Sequence, residues 1–136
     1  MANLTITGVL TPGDAEPVTL KLGETCAAFD LVYRDDVDNK YYLSDATLLQ
    51  RYVASHILLF AGGADDYRVA LPLTRGTTLI LIGPTLVVAN SYVISATAGK
   101  IADRADLVST NFLNELGAGS TTANMLITNN PTGIEL

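Results

Sequence analysis

The densest group of possible ligands in the chain is a set of four carboxylates: Asp30, Asp35, Asp36 and Asp38. Oxygen ligands at such spacing are the chemistry of a calcium site. The pattern departs from a calcium-binding loop, because no glycine stands at the sharp turn and no glutamate closes the loop. Asp and Asn are also the residues that hairpin turns favour. We therefore expect residues 35–39 to form a solvated turn without a metal.

Other catalytic groups are scarce, since His56 is the only histidine and Cys26 the only cysteine. His56 has no Asp or Glu within eight residues, so a Ser-His-Asp triad would need a carboxylate from elsewhere. One His and one Cys make a zinc site improbable. Cys26 has apolar neighbours and no adjacent cation, which favours an inert thiol, and a lone cysteine fits a reducing compartment. We expect no enzyme, no cofactor, and no catalytic or metal-binding residue.

Ala98-Gly99-Lys100 is the only trace of a phosphate-binding loop. Ile94 stands where the first glycine of such a loop belongs, and Ile101 stands where Ser or Thr would bind magnesium. The pattern over 92–107 instead predicts a hairpin: an apolar strand, a turn of small residues closed by Gly99, and a short return strand. We expect this segment to carry no chemistry of its own.

The net charge of −6 and the scattered basic residues argue against nucleic-acid binding and against docking on an anionic membrane. Residues 76–99 carry no charge, but Gly83-Pro84 and Asn90-Ser91 interrupt them, so buried strands fit better than a membrane-spanning helix. Only 16% of residues are charged and 49% are hydrophobic. Exposed apolar surface usually marks association, so we expect an oligomer or a larger assembly.

Short β-type segments bounded by turn formers fill most of the chain. They predict an all-β fold: a small antiparallel sandwich or barrel-like domain with one short helix. Residues 1–136 form a single domain in this prediction, with an N-terminal strand or arm (1–12) and an extended C-terminal tail (130–136). The helix is predicted over 44–54, where apolar residues fall at helical spacing. The predicted strands are 4–10, 16–22, 26–34, 40–43, 56–61, 67–73, 77–82, 85–88, 91–95, 111–117 and 124–129.

The N-terminal segment is our candidate for a capsid or oligomer interface, through Leu4, Ile6, Val9 and Leu10. An exposed alternating strand can add to the edge of a neighbour's sheet. Membership of the segment in its own sheet is an equally good interpretation of the same alternation. The Tyr and Phe residues are spread along the chain, and no aromatic cluster suited to stacking bases or sugars is predicted.

The segment Tyr-Val-Ile-Ser-Ala-Thr-Ala-Gly-Lys-Ile-Ala (92–102), followed by Ala-Asp-Leu (105–107), resembles a motif of tailed-phage capsid decoration proteins. These small virion proteins are also called cement or head-fibre-like proteins. The start of the chain (1–7), residues 39–46 and the closing strands resemble the same family more loosely. Two departures stand out: Asp103 occupies a position where proline is expected, and residues 48–59 are bulkier than the family's alanine-rich stretch.

The resemblance implies a structural protein of the virion, assembled in the host cytoplasm, that binds the outer surface of a phage capsid. Its partners would be the major capsid protein and itself, as a homotrimer, and it would stabilise the shell by bridging coat subunits. The alternative is a phage fibre or adhesin-type β module that binds host glycan. Binding sites for glycans usually present exposed aromatic side chains, and this feature would distinguish the alternative.

Overall fold

The computed structural model describes residues 3–10, 16–48 and 50–135, and these form antiparallel strands with almost no helix. The all-β prediction is confirmed. The described strands are β1 (Gly8–Leu10), β2 (Val18–Lys21), β3 (Leu31–Arg34), β4 (Tyr41–Leu43), β5 (His56–Leu58), β6 (Tyr67–Pro72), β7 (Thr78–Ile82), β8 (Ser91–Ile94), β9 (Ile101–Asp103), β10 (Phe112–Gly119) and β11 (Asn124–Glu135).

Six strands form sheet A in the order β1-β7-β11-β10-β8-β9. The N-terminal segment contacts both edges of this curled sheet. At one edge the Leu4 amide donates to the carbonyl of Ile101 (2.9 Å), and Asn3 bridges Ala102. At the other edge β1 pairs with β7, where Val9 lies opposite Leu81. Residues 3–10 thus contain one edge strand of sheet A, β1, and are bonded to the other edge strand, β9.

The other five strands form sheet B in the order β2-β6-β5-β3-β4. Its edges are joined in a similar way. Leu22, just after β2, makes a parallel bridge with Tyr41 of β4, and the Gly23 amide donates to the Tyr41 carbonyl at 2.8 Å. Backbone groups that would otherwise lie unpaired at these edges are therefore partly satisfied within the chain.

Sheet B is buried on both faces, because successive side chains of a strand point in opposite directions. Leu31, Ile57 and Leu71 face the main core, which sheet A shares. Their neighbours Val32 and Leu58, with Ala70, face a second, smaller core. Continuous apolar runs such as that of β3 are the expected pattern for a strand covered on both sides.

The helix predicted over 44–54 is wrong, because the described residues of that segment form turns. Polar side chains compete with helical hydrogen bonds there. Asp45 accepts from the amide and the hydroxyl of Thr47, and the Ser44 hydroxyl donates to the Val53 carbonyl (2.7 Å). The Asp45 amide donates to the Arg51 carbonyl at 2.6 Å, which closes a loop. In the described part, the helical element is one 3-10 turn, Arg104–Asp106.

Two strand predictions need correction. β3 begins only at Leu31, because Phe29 has a left-handed backbone (φ 67°) that ends any strand from residue 26. Residues 85–88 form no strand, apart from an isolated bridge of Val88 to Gly119. Ala89 adopts the left-handed conformation in the turn that follows (φ 65°).

The C-terminal prediction is sharpened by the structure. Strand β11 was expected to end at residue 129, yet it continues to Glu135 and pairs with β10, where Pro131 lies opposite Asn114. Residues 130–135 of the predicted tail are therefore extended within sheet A, and residue 136 lies outside the described residues. In the described ranges, no helix has the length and apolar character to cross a membrane.

Candidate functional site

The hairpin at 92–107 is formed by β8 and β9, with Gly99 at φ 79°, which confirms the predicted turn. This turn is packed against sheet B. The Gly99 amide donates to the Ser44 carbonyl (2.7 Å), and the Gly99 carbonyl accepts from the Leu31 amide (2.8 Å). A Cβ at position 99 would lie 2.8 Å from Cγ of Asp30. The amide and the carbonyl of Gly99 are thus both hydrogen-bonded to residues at strands β3 and β4 of sheet B, so the turn joins the two sheets.

The structure separates Asp30 from the other three clustered carboxylates. Asp30 is buried and pairs with Lys100, whose Nζ lies 2.7 Å from Oδ1. Asp35 and Asp38 stabilise their own turn by accepting the amides of Val37 and Lys40. Among the described residues, no three His, Cys, Asp or Glu side chains are grouped as metal ligands. The arrangement is that of a hairpin turn, with Asn39 in the left-handed conformation (φ 61°).

The turn also contains a tyrosine–carboxylate hydrogen bond. The Tyr42 hydroxyl donates to Oδ2 of Asp38. This bond lowers the pKa of Asp38 and raises the pKa of Tyr42 to about 12. Both shifts favour the protonation states that keep the bond, a neutral phenol and an ionised carboxylate.

His56 and Cys26 lie in surroundings that suit structural roles. Nδ1 of His56 lies 2.7 Å from the Ser55 hydroxyl, and the ring packs edge-on against Tyr41 with centroids 5.5 Å apart. Burial lowers the pKa of His56. Burial, with smaller effects of Glu24 and Asp30, raises the pKa of Cys26 to about 12, so the thiol is protonated and unreactive at neutral pH.

The four predicted interface residues divide into two groups. Leu4, Ile6 and Val9 pack on the main core, and Val9 is only 9% exposed. Leu10 points outward and is 56% exposed. The alternation of β1 therefore holds, but three of the four side chains stabilise the chain's own fold.

Leu10 belongs to an outward surface of sheet A that we call the apolar face: Leu10, Ile80, Ile82 and Leu126. The strand register places these side chains on one face. Leu10 of β1 lies opposite Ile80 of β7, and Leu126 of β11 lies opposite Thr78 of β7. Thr78, Ile80 and Ile82 are alternate residues of β7 and therefore point to the same side. Ile82 is 47% exposed and Leu126 is 42% exposed. The outward positions of β1, β7 and 124–126 carry no charge. Residues 80 and 126 could have been found from the uncharged alternation of their strands.

A second surface feature is a groove of about 340 Å³ at the end of the β3–β4 hairpin, which we call the hairpin groove. Its lining combines apolar Tyr33, Val37 and Val53 with polar Asp35, Asp36 and Gln50. The two sides come from the turn after β3 and from the loop that replaces the predicted helix. Sequence reasoning missed this groove because it assigned residues 50–53 to a helix.

Two aromatic side chains, Tyr33 and Tyr42, form a cluster with charged residues beside the groove. Tyr33 and Tyr42 lie opposite each other on β3 and β4, with ring centroids 6.4 Å apart. The guanidinium of Arg51 lies 5.5 Å from the Tyr42 centroid and 6.0 Å from that of Tyr33. Glu24 pairs with Arg51 at 3.2 Å. The cluster fixes the loop over 50–53 against sheet B.

Comparisons of the chain with protein-family models, with curated protein sequences and with solved structures found no match.

Proposed function

We propose that this chain is a structural virion protein that binds the outer surface of a tailed-phage capsid and stabilises the shell by bridging coat subunits. The observation that carries the proposal is the uncharged apolar face around Leu10. The resemblance of residues 92–107 to capsid decoration proteins supports it. The partners in this proposal are the major capsid protein and further copies of the chain, as a homotrimer on the capsid exterior.

The proposed mechanism is burial of apolar area between subunits. An interface contributes roughly 25 cal/mol per Å² of apolar surface removed from water, before the cost of association is subtracted. The exposed side chains of Leu10, Ile82 and Leu126 supply such surface without requiring a matching charge. Modest affinity for each copy suffices, because attachment at several coat subunits makes the contacts multivalent.

A single substitution on the apolar face tests the proposal. Leu10→Asp places a charge at an exposed position, so the fold is expected to persist while capsid binding falls at least tenfold. Val108→Asp is the matched control, because Val108 is 61% exposed and lies outside the face. The measurement is co-sedimentation with mature capsids assembled from the coat protein of the same genome. Light scattering on the purified chain reports its oligomeric state.

Two outcomes would overturn the proposal. The first is a wild-type chain that stays monomeric and does not sediment with mature capsids. The second is Leu10→Asp protein that binds capsids as well as the Val108→Asp control does.

A further inference from the structure

We infer that the hairpin groove is a binding site for one neutral sugar unit of a glycan. This inference is independent of the capsid proposal, because the groove is formed by sheet B and its loops, whereas the apolar face lies on sheet A. A volume of about 340 Å³ lies in the lower part of the range found for small-molecule sites, roughly 300–1,000 Å³.

Polar groups without an intramolecular partner converge on the groove. Asp36 and Gln50 are both exposed, and neither side chain makes a hydrogen bond or ion pair in the described part of the chain. Asp35 accepts the Val37 amide through Oδ1 only. The groove therefore offers carboxylate acceptors and an amide that both donates and accepts. Hydroxyl groups on neighbouring ring carbons match this mixture.

Apolar side chains form the rest of the lining. Val37 is 95% exposed at the tip of the turn, and it lies beside Val53 and the largely buried Tyr33. Sugars carry C–H groups on one face of the ring and hydroxyls at its edge. The groove presents both kinds of surface around one opening, and burial of Val37 by a ring would remove apolar area from water.

Charge selects a neutral ligand. Two carboxylates, Asp35 and Asp36, disfavour an anionic sugar or a phosphate. Arg34 also lines the groove, with its guanidinium hydrogen-bonded to Oδ1 of Asn39 at 2.6 Å, and its positive charge disfavours a cation. The guanidinium of Arg51 lies 6.0 Å from the centroid of the Tyr33 ring and is already paired with Glu24. A ligand without charge is repelled neither by the carboxylates nor by the guanidinium, and it can still form hydrogen bonds with Asp36 and Gln50.

The test is a titration of the isotope-labelled chain with glucose, galactose, mannose and N-acetylglucosamine, followed by amide chemical shifts in NMR spectra. At least one sugar is expected to give saturable shifts confined to residues 34–37 and 50–53. A dissociation constant of about 1–10 mM is expected, as befits a single ring in an open site. A fibre or adhesin-type recognition role would follow from such binding.

Variants distinguish the groove from general surface effects. Asp36→Asn replaces an exposed carboxylate with an amide and Gln50→Ala removes an exposed amide, and each is expected to weaken binding at least fivefold with an unchanged spectrum in the free state. Asp106→Asn removes a carboxylate in the 3-10 turn, outside the groove, and should bind like the wild type. Absence of saturable shifts with all four sugars up to about 50 mM would overturn the inference. So would equal binding by the Gln50→Ala and Asp106→Asn proteins, or binding of lysine methyl ester in preference to every sugar.

Discussion

Lys100 and Asp30 form an ion pair between the two sheets, with Nζ 2.7 Å from Oδ1. Asp30 immediately precedes β3 of sheet B, and Lys100 immediately precedes β9 of sheet A. The second oxygen of Asp30 accepts the amide of Ala27 at 2.8 Å. The carboxylate side chain is 5% exposed and the lysine side chain is 38% exposed. The buried Asp30 therefore depends on Lys100 for its charge partner, whereas Lys100 can also be solvated by water.

Removal of Lys100 is expected to destabilise the fold more than neutralisation of Asp30. Lys100→Met leaves a buried carboxylate without its cation, which costs about 2–3 kcal/mol of unfolding free energy. Asp30→Asn frees a lysine that already reaches water and keeps an oxygen for the Ala27 amide, so its cost is about 1 kcal/mol. Urea unfolding measures both. Lys40→Met is the control, because its partner Asp65 is 63% exposed, and its cost is about 0.5 kcal/mol or less. A smaller cost for Lys100→Met than for Asp30→Asn would contradict the burial argument.

Gly99→Ala is expected to cost about 3 kcal/mol, because backbone strain and a steric clash add together. Gly99 has φ 79°, and an added Cβ would lie 2.8 Å from Cγ of Asp30 and 3.0 Å from Cδ2 of Leu43. Gly76→Ala isolates the strain, since Gly76 has φ 91° with nothing within 4 Å of an added Cβ; about 1 kcal/mol is expected there. Thermal unfolding compares the two variants. Equal losses would mean that the contact with Asp30 adjusts without cost.

Val9→Ala and Leu10→Ala should separate the structural from the external side of β1. Val9 is 9% exposed in the main core, so its truncation removes buried methyl groups at a cost of about 1–2 kcal/mol. Leu10 is 56% exposed, and its truncation is expected to change stability by no more than about 0.5 kcal/mol. Urea unfolding measures both effects. A larger loss at Leu10 than at Val9 would show that the strand faces the opposite way.

Stability should fall as the pH drops below about 6.5, partly through His56. Burial lowers the pKa of this histidine in the folded chain from its usual value of 6.5. The unfolded chain therefore takes up a proton at a higher pH than the folded chain does, and protonation favours unfolding. The loss begins near pH 6.5 and levels off below the folded-state pKa. His56→Gln should reduce this slope, as measured by unfolding free energies from pH 8 to pH 5. An unchanged slope in the variant would assign the effect to other groups.

Asn114 is a polar residue in the core whose replacement should stabilise the chain. Its side chain is fully buried, and neither its Oδ1 nor its Nδ2 has a hydrogen-bond partner within the described structure. Asn114→Leu keeps the branched shape and the number of side-chain heavy atoms and removes two unsatisfied polar atoms, so a gain of about 1 kcal/mol is expected. Calorimetry measures the change in Tm and unfolding enthalpy. A loss of stability in the variant would contradict this expectation.

The segment 44–54 shows why one prediction from pattern failed. Helical spacing of Leu48, Tyr52 and Val53 suggested an apolar stripe, yet Leu48 is 44% exposed. Ala46 and Ala54 enter the core in its place, and Tyr52 packs on Phe112 from a distant strand, with ring centroids 5.6 Å apart. Spacing within a segment carries no information about such distant partners. The sequence alone therefore did not reveal the contacts that hold this segment in a loop.

The sequence by itself determined the all-β class, the turn at Gly99 and the absence of charge along β7. Each of these depends on local properties: alternation, backbone preference at a turn, or composition. Only the tertiary structure decided that residues 3–10 join both edges of sheet A, that Asp30 leaves the other carboxylates to pair with Lys100, and that the turn after β3 meets the loop over 50–53 in a groove. Those contacts join residues far apart in the chain, and their positions follow from how both sheets pack around a shared core.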